Sequence, residues 1–97
     1  MKRKVFKYRI EDKDTELRLP TGARILSAKA QGNTLVVYAE VVAEVGEGEE
    51  HPGMSVVHLY VMDTGEELPE NIGEYTFLDS VFLSGTAVWC HVYYKQS

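Results

Sequence analysis

Apolar and polar side chains alternate along most of the chain, and the alternation is clearest in residues 23–42. Two β-rich runs there flank Gly32 and Asn33, which tolerate the positive φ angles of a two-residue hairpin loop. Such a loop pairs Gln31 with Thr34 and fixes the register of both strands behind it. We therefore predict an antiparallel hairpin at the centre of the fold.

The predicted register assigns each side chain of this hairpin to one of two faces. The apolar face carries the pairs Ala30–Leu35, Ala28–Val37 and Leu26–Ala39, and the mixed face carries Lys29–Val36, Ser27–Tyr38 and Ile25–Glu40. One apolar and one mixed face are typical of a strand pair that packs on a core. A slip of one residue would bury Lys29 and Glu40.

The same alternation predicts strands before and after the central hairpin. Residues 5–10 and the run through Leu17 and Leu19 flank a polar turn, which predicts a second hairpin. Residues 55–62 predict a further strand, residues 69–72 a helical turn, and residues 75–83 and 87–94 a last hairpin. About six to seven short strands predict an all-β fold, a small antiparallel barrel or sandwich.

Length and composition favour a single domain over residues 1–97. The segment 44–53 contains three glycines, a proline and four glutamates. It predicts a mobile acidic loop, not a linker, because too little chain lies on either side for two cores.

Charge and cysteine content restrict the compartment and the partners. The single cysteine, Cys90, excludes an internal disulfide and favours a reducing compartment. No apolar run approaches the roughly 18 residues of a membrane span, and no signal peptide is evident. We therefore expect a cytoplasmic protein. The net charge of −5 disfavours general nucleic-acid binding, although a local basic stripe remains compatible with it.

Four segments, KVFKYRI, LRLPTGARILSAKAQGNTLVVYAEV, HLYVMDTGEELPE and VWCHVYY, follow one another in this order. Together they resemble a family of small bacteriophage proteins of unknown function. Its members begin with K-x-F/Y-K-Y, continue with L-P-x-G-A-x-I-L-S and end in a strand with tryptophan or histidine, valine and an aromatic residue. The match at residues 19–27 is the most specific. The resemblance implies a viral origin, a compact β-fold and the host cytoplasm, and it implies no reaction.

The chain departs from that family at three places. Glu66 stands where a histidine usually follows the Thr-Gly turn, Cys90 lies between Trp89 and His91, and the acidic loop is longer than expected. If that histidine served a site in other members, this chain lacks it.

Two short motifs suggest catalysis, and neither is persuasive. Asp63-Thr64-Gly65 matches the loop of dimeric aspartic proteases, but it lies late in the chain and an acidic pair follows it, so an ordinary turn is the better interpretation. Cys90 and His91 are neighbours on a strand and point to opposite faces, so they cannot act as nucleophile and base. We predict no catalytic residues.

Metal and anion sites have equally weak signals. His51, His58 and His91 lack the spacing of zinc ligands, and the acidic loop lacks that of calcium loops, so we predict no metal and no cofactor. We interpret the acidic loop as solvated, although it could meet a basic partner. The first strand is rich in basic residues: Lys2, Arg3, Lys4, Lys7 and Arg9. With Arg18 and Arg24 they form either an anion-binding face or, as we favour, the protection of an exposed edge strand.

The aromatic residues point to binding. Six tyrosines, three phenylalanines and one tryptophan exceed the needs of one small core, which favours a homo-oligomer or another interface. The candidate partner- or ligand-binding residues are Tyr38, Tyr60, Trp89, His91, Arg9, Arg18 and Arg24.

Three functions remain open. The first is a non-enzymatic phage protein that binds a host protein in the infected cell, in defence evasion or host takeover. The second is a binder that sequesters a small anionic ligand such as a nucleotide between subunits, with arginines on phosphates and rings on bases. The third is an enzyme with an unrecognised site, which needs a convergent acid–base pair.

Overall fold

The computed structural model describes residues 1–96 and folds them into seven strands and one short 3-10 helix. The strands are β1 (Lys2–Ile10), β2 (Asp14–Pro20), β3 (Arg24–Gln31), β4 (Thr34–Glu44), β5 (Met54–Asp63), β6 (Thr76–Leu83) and β7 (Val88–Gln96). The 3-10 helix spans Glu70–Glu74, where a helical turn is predicted. The acidic segment predicted at 44–53 starts one residue later, because Glu44 ends β4. The all-β prediction is confirmed.

The strands form two antiparallel sheets, a three-stranded sheet with the order β1-β4-β3 and a four-stranded sheet with the order β2-β5-β7-β6. The sheets pack face to face and are not closed into a barrel. Of the two predicted architectures, the sandwich is therefore the one that forms.

The core lies between the sheets and consists of every second residue of the central strands. These buried side chains are Leu35, Val37, Ala39 and Val41 on β4, Val57, Leu59 and Val61 on β5, and Cys90 and Val92 on β7. Each fully buried valine or leucine contributes roughly 1.5–3 kcal/mol of transfer free energy. No polar or charged residue within 1–96 is buried. The remaining side chains of these strands therefore point to the two outer faces.

The predicted register of the central hairpin is confirmed near its turn. Further along β3 the observed pairing is shifted by one residue from the predicted pairing. The predicted pairs from Gln31–Thr34 to Ser27–Tyr38 are present, and Lys29 stays outside the core. A bulge between Ile25 and Ser27 then places Ile25 opposite Ala39. The predicted inward position of Leu26 and the pair Ile25–Glu40 are therefore wrong.

The bulge explains both errors, because one extra residue on β3 reverses the alternation beyond it. Ile25 packs against the core, Leu26 is 43% exposed, and Arg24 takes the place opposite Glu40.

The predicted hairpin between the first two strands is wrong. β1 pairs with β4, and β2 pairs with β5, so the turn at residues 11–13 carries the chain from one sheet to the other. Alternation gives each strand an inward face but does not identify its partner. Pairing with β4 and β5 places Ile10 and Leu19 in the shared core.

The predicted last hairpin is confirmed as β6 and β7. A bulge in β6, between Phe77 and Asp79, lies at a corner of the sandwich where the two sheets contact each other. Asp79, which follows the bulge, accepts hydrogen bonds at Oδ2 from the Ala28 N–H (3.4 Å) and from Lys29 Nζ (3.3 Å). Nearby, Gln96 Nε2 donates to the Ala23 carbonyl oxygen (2.7 Å). These side chains cover the outer edge of β3.

Because of the bulge in β3, Ile25 packs against the core and Leu26 is exposed, so the two side chains should contribute differently to stability. We expect Ile25→Ala to lower the free energy of unfolding by about 2 kcal/mol, because it leaves a cavity beside the core, and Leu26→Ala to lower it by less than about 1 kcal/mol. Urea denaturation of the two variants measures both values. A larger loss for Leu26→Ala would show that the predicted alternation continues without a bulge.

Candidate functional site

The outer face of the four-stranded sheet exposes an unusual number of rings. Phe77 on β6 is 52% exposed, Phe82 on β6 is 42% exposed, and Trp89 on β7 is 53% exposed. Phe82 and Trp89 alternate with the core residues Val81 and Cys90, and the bulge in β6 places Phe77 opposite Tyr93 on the outer face, so all three side chains point away from the core. With three half-buried tyrosines they form what we call the aromatic face: Tyr60, Tyr75, Phe77, Phe82, Trp89 and Tyr93.

Contacts between neighbouring rings fix their positions. Phe82 lies opposite Trp89 with ring centroids 5.5 Å apart, and Phe77 lies opposite Tyr93 at 5.4 Å with an interplanar angle of 73°. Tyr60 meets Tyr75 edge-on at 6.3 Å. Such pairs each contribute about 0.5–1.5 kcal/mol beyond the area that they bury. The exposed rings are therefore held in place before any partner arrives.

The connection from β5 to β6 crosses this outer face. β5 and β6 run in the same direction with β7 between them, and the inner face of the sheet is occupied by the core. Residues 64–75 must therefore pass over the outside, where Thr64 contacts His91 and Tyr75 contacts Tyr60. The crossover leaves the β6 side of the face, with Phe77, Phe82 and Trp89, exposed.

His91 lies in the row between the two exposed ring pairs and is held by two hydroxyls. Its Nδ1 is 2.7 Å from Ser80 Oγ, and its Nε2 is 2.7 Å from Thr64 Oγ1. The Thr64 hydroxyl also lies 3.3 Å from the Trp89 carbonyl oxygen. Each ring nitrogen of His91 therefore has a hydroxyl partner in either tautomer of the neutral imidazole.

The short contact between Ser80 and His91 has the geometry of a nucleophile and its base, but the groups described next to it within residues 1–96 do not complete a catalytic set. The Ser80 N–H donates to Asp79 Oδ1 (3.0 Å) and is not free to bind an oxyanion. The other ring nitrogen of His91 faces a hydroxyl, where a Ser-His-Asp triad has a carboxylate. The arrangement holds the imidazole in place and offers polar groups to a partner.

Acidic residues border the aromatic face on the side of β2 and of the crossover. They are Asp14 and Glu16 on β2 and Glu66, Glu67, Glu70 and Glu74 on the crossover, against the cations Lys13, Arg18 and Lys95. Lys13 hydrogen-bonds Glu66, which holds the pKa of the Glu66 carboxyl below and that of the Lys13 ammonium above its ordinary value. Lys95 contacts Glu74 at 3.7 Å. The acidic groups are in excess, so the rim is negatively charged.

The structure distributes the seven predicted site residues over two opposite faces. Tyr60, Trp89, His91 and Arg18 belong to the outer face of the four-stranded sheet, and Tyr38, Arg9 and Arg24 to the outer face of the three-stranded sheet. Arg24 contacts Glu40 at 3.8 Å and Arg9 contacts Glu11 at 3.5 Å. The arginines therefore do not converge within one chain.

Sequence reasoning did not identify Phe77, Phe82, Ser80 and Thr64 as members of the site. The first three follow from the register of the last hairpin, which places Ser80 opposite His91 and Phe82 opposite Trp89. The strand boundaries carried that signal for Ser80 and Phe82, whereas Phe77 reaches this face only through the bulge in β6. Thr64 reaches the site only through the crossover, which no local pattern predicts.

The clefts of the molecule add little chemistry. One cleft of about 310 Å³ lies at one end of the sandwich, and its lining includes Arg9, Lys13, Asn33 and Leu83. No group of three or more histidine, cysteine or acidic side chains within residues 1–96 is arranged to hold a metal ion. Over the same residues, no helix is long and apolar enough to span a membrane.

Cys90 is a core residue. Its thiol lies 3.5 Å from the Val81 carbonyl oxygen, and burial raises the pKa of the thiol, with the nearby Asp63 charge adding to the rise. The reactive thiolate is therefore disfavoured at neutral pH.

These features define a small antiparallel β-sandwich that presents a preformed aromatic face with an acidic rim. Residues 1–97 match the family described as Domain of unknown function (DUF7352), and the chain belongs to that family. No curated protein matches the chain, and no solved structure matches it. The description of the family gives no activity.

The buried thiol gives a direct test of the structural role of Cys90. We expect a disulfide reagent such as Ellman's reagent to modify the native protein at least about a hundredfold more slowly than the unfolded protein. Burial blocks the access of the reagent to the sulfur and lowers the fraction of Cys90 that is present as thiolate. Absorbance of the released thiol, with and without guanidinium chloride, measures the ratio. Similar rates in the two states would show an accessible thiol and contradict the core position.

Proposed function

We propose that this chain is a non-enzymatic binding protein of bacteriophage origin that binds a host protein through its aromatic face. The observation that carries the proposal is the exposure of Phe77, Phe82 and Trp89, between 42% and 53%, on one face of one sheet. Contiguous exposed rings mark interaction sites, and tryptophan and tyrosine contribute heavily to the binding energy of protein interfaces.

Rigidity supports the same proposal. The rings are paired across strands, and His91 is held at both ring nitrogens. Binding therefore costs little conformational entropy on this side of the interface, because few side chains remain to be ordered. The hydroxyls of Ser80 and Thr64 beside the rings supply the polar contacts that orient a partner.

The charge of the rim favours a foreign protein over a second copy of the chain. A symmetric dimer through this face brings the acidic crossovers of both copies to the same interface, where glutamates such as Glu67 and Glu70 repel. A partner with a basic rim around an apolar centre complements the surface. Self-association, which composition favours, thus becomes the second outcome to test.

The phage origin and the site of action come from the sequence. The segments that resemble small bacteriophage proteins, above all residues 19–27, support a viral protein that works in the cytoplasm of the infected cell. The reduced, buried Cys90 is compatible with that compartment. We include in the proposal a role in defence evasion or host takeover.

The two alternative functions have less support. Sequestration of a nucleotide needs convergent cations, whereas Arg9 and Arg24 lie on the opposite side of the sandwich from Arg18. Different copies of the chain would have to combine these residues at one site. An enzyme needs more than the Ser80–His91 contact, since the Ser80 N–H already donates to Asp79 and the second ring nitrogen of His91 meets the Thr64 hydroxyl in place of a carboxylate.

Two aromatic residues on opposite faces give a matched pair of variants. We expect a host protein captured from bacterial lysate, and then purified, to bind wild type and Tyr38→Ala with similar affinity. Trp89→Ala should weaken binding by about thirtyfold, because it removes a central ring of the interface. Titration calorimetry with the purified pair measures the three affinities, and circular dichroism confirms that each variant folds.

Two results would contradict this proposal. In the first, every captured protein binds Trp89→Ala and the double variant Phe77→Ala/Phe82→Ala as well as wild type. In the second, light scattering finds a dimer of the wild type that Trp89→Ala dissociates and no host protein competes with it. The second result would assign the aromatic face to self-association.

A further inference from the structure

The outer face of the three-stranded sheet is basic, although the protein as a whole carries a net charge of −5. We call this surface the basic face: Arg3, Lys7 and Arg9 on β1, and Arg24 and Lys29 on β3. Among the outward residues of the three strands, only Glu40 on β4 is acidic. The charge of this surface therefore has the opposite sign to that of the whole molecule.

Neighbouring carboxylates neutralise only part of the positive charge of β1. Glu40 is shared by Arg3 (3.2 Å) and Arg24 (3.8 Å), Glu44 is shared by Lys2 and Lys4, each at 3.8 Å, and Glu11 contacts Arg9 at 3.5 Å. Lys7 donates to the neutral amide oxygen of Gln31 at 2.9 Å. Positive charge remains in excess along the strand, and these exposed pairs are weak and exchangeable.

β1 is also a free edge. It ends the three-stranded sheet, and over residues 1–96 no strand pairs with its other side. The opposite edge strand of the same sheet, β3, lies against β6, where Asp79 accepts from the Ala28 N–H, and Gln96 donates to the carbonyl of Ala23 just before β3. The outer hydrogen-bonding groups of the nine residues of β1 are thus available to another strand.

The inward side of β1 offers apolar contact as well. Phe6 lies opposite the core residue Ala39 but is 44% exposed, so part of its ring is left uncovered. Tyr8, two residues further on, packs against the core. An added strand beside β1 would place every second side chain next to Phe6 and continue the core outward.

We propose that β1 is a docking edge for an extended acidic segment of another protein, which adds to the three-stranded sheet as an outer strand. Its acidic side chains alternate onto the basic face beside Arg3, Lys7 and Arg9, and its apolar side chains alternate onto the side of Phe6. Main-chain hydrogen bonds supply affinity in this mode of recognition, and the alternate side chains supply specificity. The site is independent of the aromatic face, which lies on the other sheet.

The same charges select against other occupants. Pairing of β1 with β1 of a second copy brings five cations against five, and like charges on paired strands are destabilising. Lysine and arginine on an edge thus prevent self-pairing and admit an acidic strand. A nucleic acid would satisfy the charges, but Tyr38 is the single aromatic side chain on the basic face, and phosphates do not use a free strand edge.

The test uses a fluorescent peptide of about ten residues in which glutamate alternates with valine. We expect fluorescence anisotropy to show binding, and the double variant Lys7→Glu/Arg9→Glu to weaken it by at least about tenfold. The double variant Arg18→Glu/Lys95→Glu makes the same change of net charge on the other sheet and should alter affinity by less than about twofold. Lys7→Gln/Arg9→Gln, which removes charge without reversing it, should give an intermediate loss.

Amide exchange distinguishes strand addition from simple charge attraction. On peptide binding we expect alternate amides of β1 to exchange at least about tenfold more slowly, because only alternate N–H groups point to the free edge. Binding without this protection would overturn the proposal. So would equal binding of a lysine–valine peptide, no binding of the glutamate–valine peptide, or preferential binding of a single-stranded oligonucleotide. None of these results affects the host-binding test, which depends on Trp89.

Discussion

The structure depends on the burial of alternate side chains of β4 against those of β5 and β7. Val37, Ala39, Leu59 and Val92 are fully buried between the sheets, and no buried polar group within residues 1–96 interrupts them. Because the period of a strand is two, this burial also decides where every other side chain goes. The residues between the core positions point to the outer faces, where some, such as Val36 and Met62, are covered by neighbouring side chains, so the core determines both outer surfaces of the sandwich.

Those two surfaces differ in chemistry and lie back to back. The aromatic face has an acidic rim, and the basic face borders a free strand edge. The molecule is thin, with principal-axis extents of 51 × 31 × 16 Å, so both surfaces are broad and neither obstructs the other. Charges of opposite sign on the two sides orient an approaching partner and discourage the wrong one. The two partners that we propose would therefore bind on opposite sides of the sandwich.

Local patterns predicted the parts of the fold that depend on local geometry. Gly32 and Asn33 specified a tight turn, and the five pairs nearest to it follow from that turn. The bulge in β3 was not predictable from hydrophobicity, because Ile25 and Leu26 are both apolar and either one satisfies the pattern. The partners of β1 and β2 were not predictable either. Both strands alternate well, and the choice between each other and the two longer strands is made by the assembled core.

The candidate site depends on topology more than on any motif. Tyr60, Trp89 and His91 are brought to one face by strand register, whereas Thr64 reaches His91 only because the β5–β6 connection must pass outside β7. The same crossover places its glutamates beside the rings and leaves the β6 side open. The three arginines that were predicted from charge alone do not lie together, because β1 and β3 belong to one sheet and β2 belongs to the other. Residues on one sheet face therefore form a site when their strands are neighbours, and composition does not contain that information.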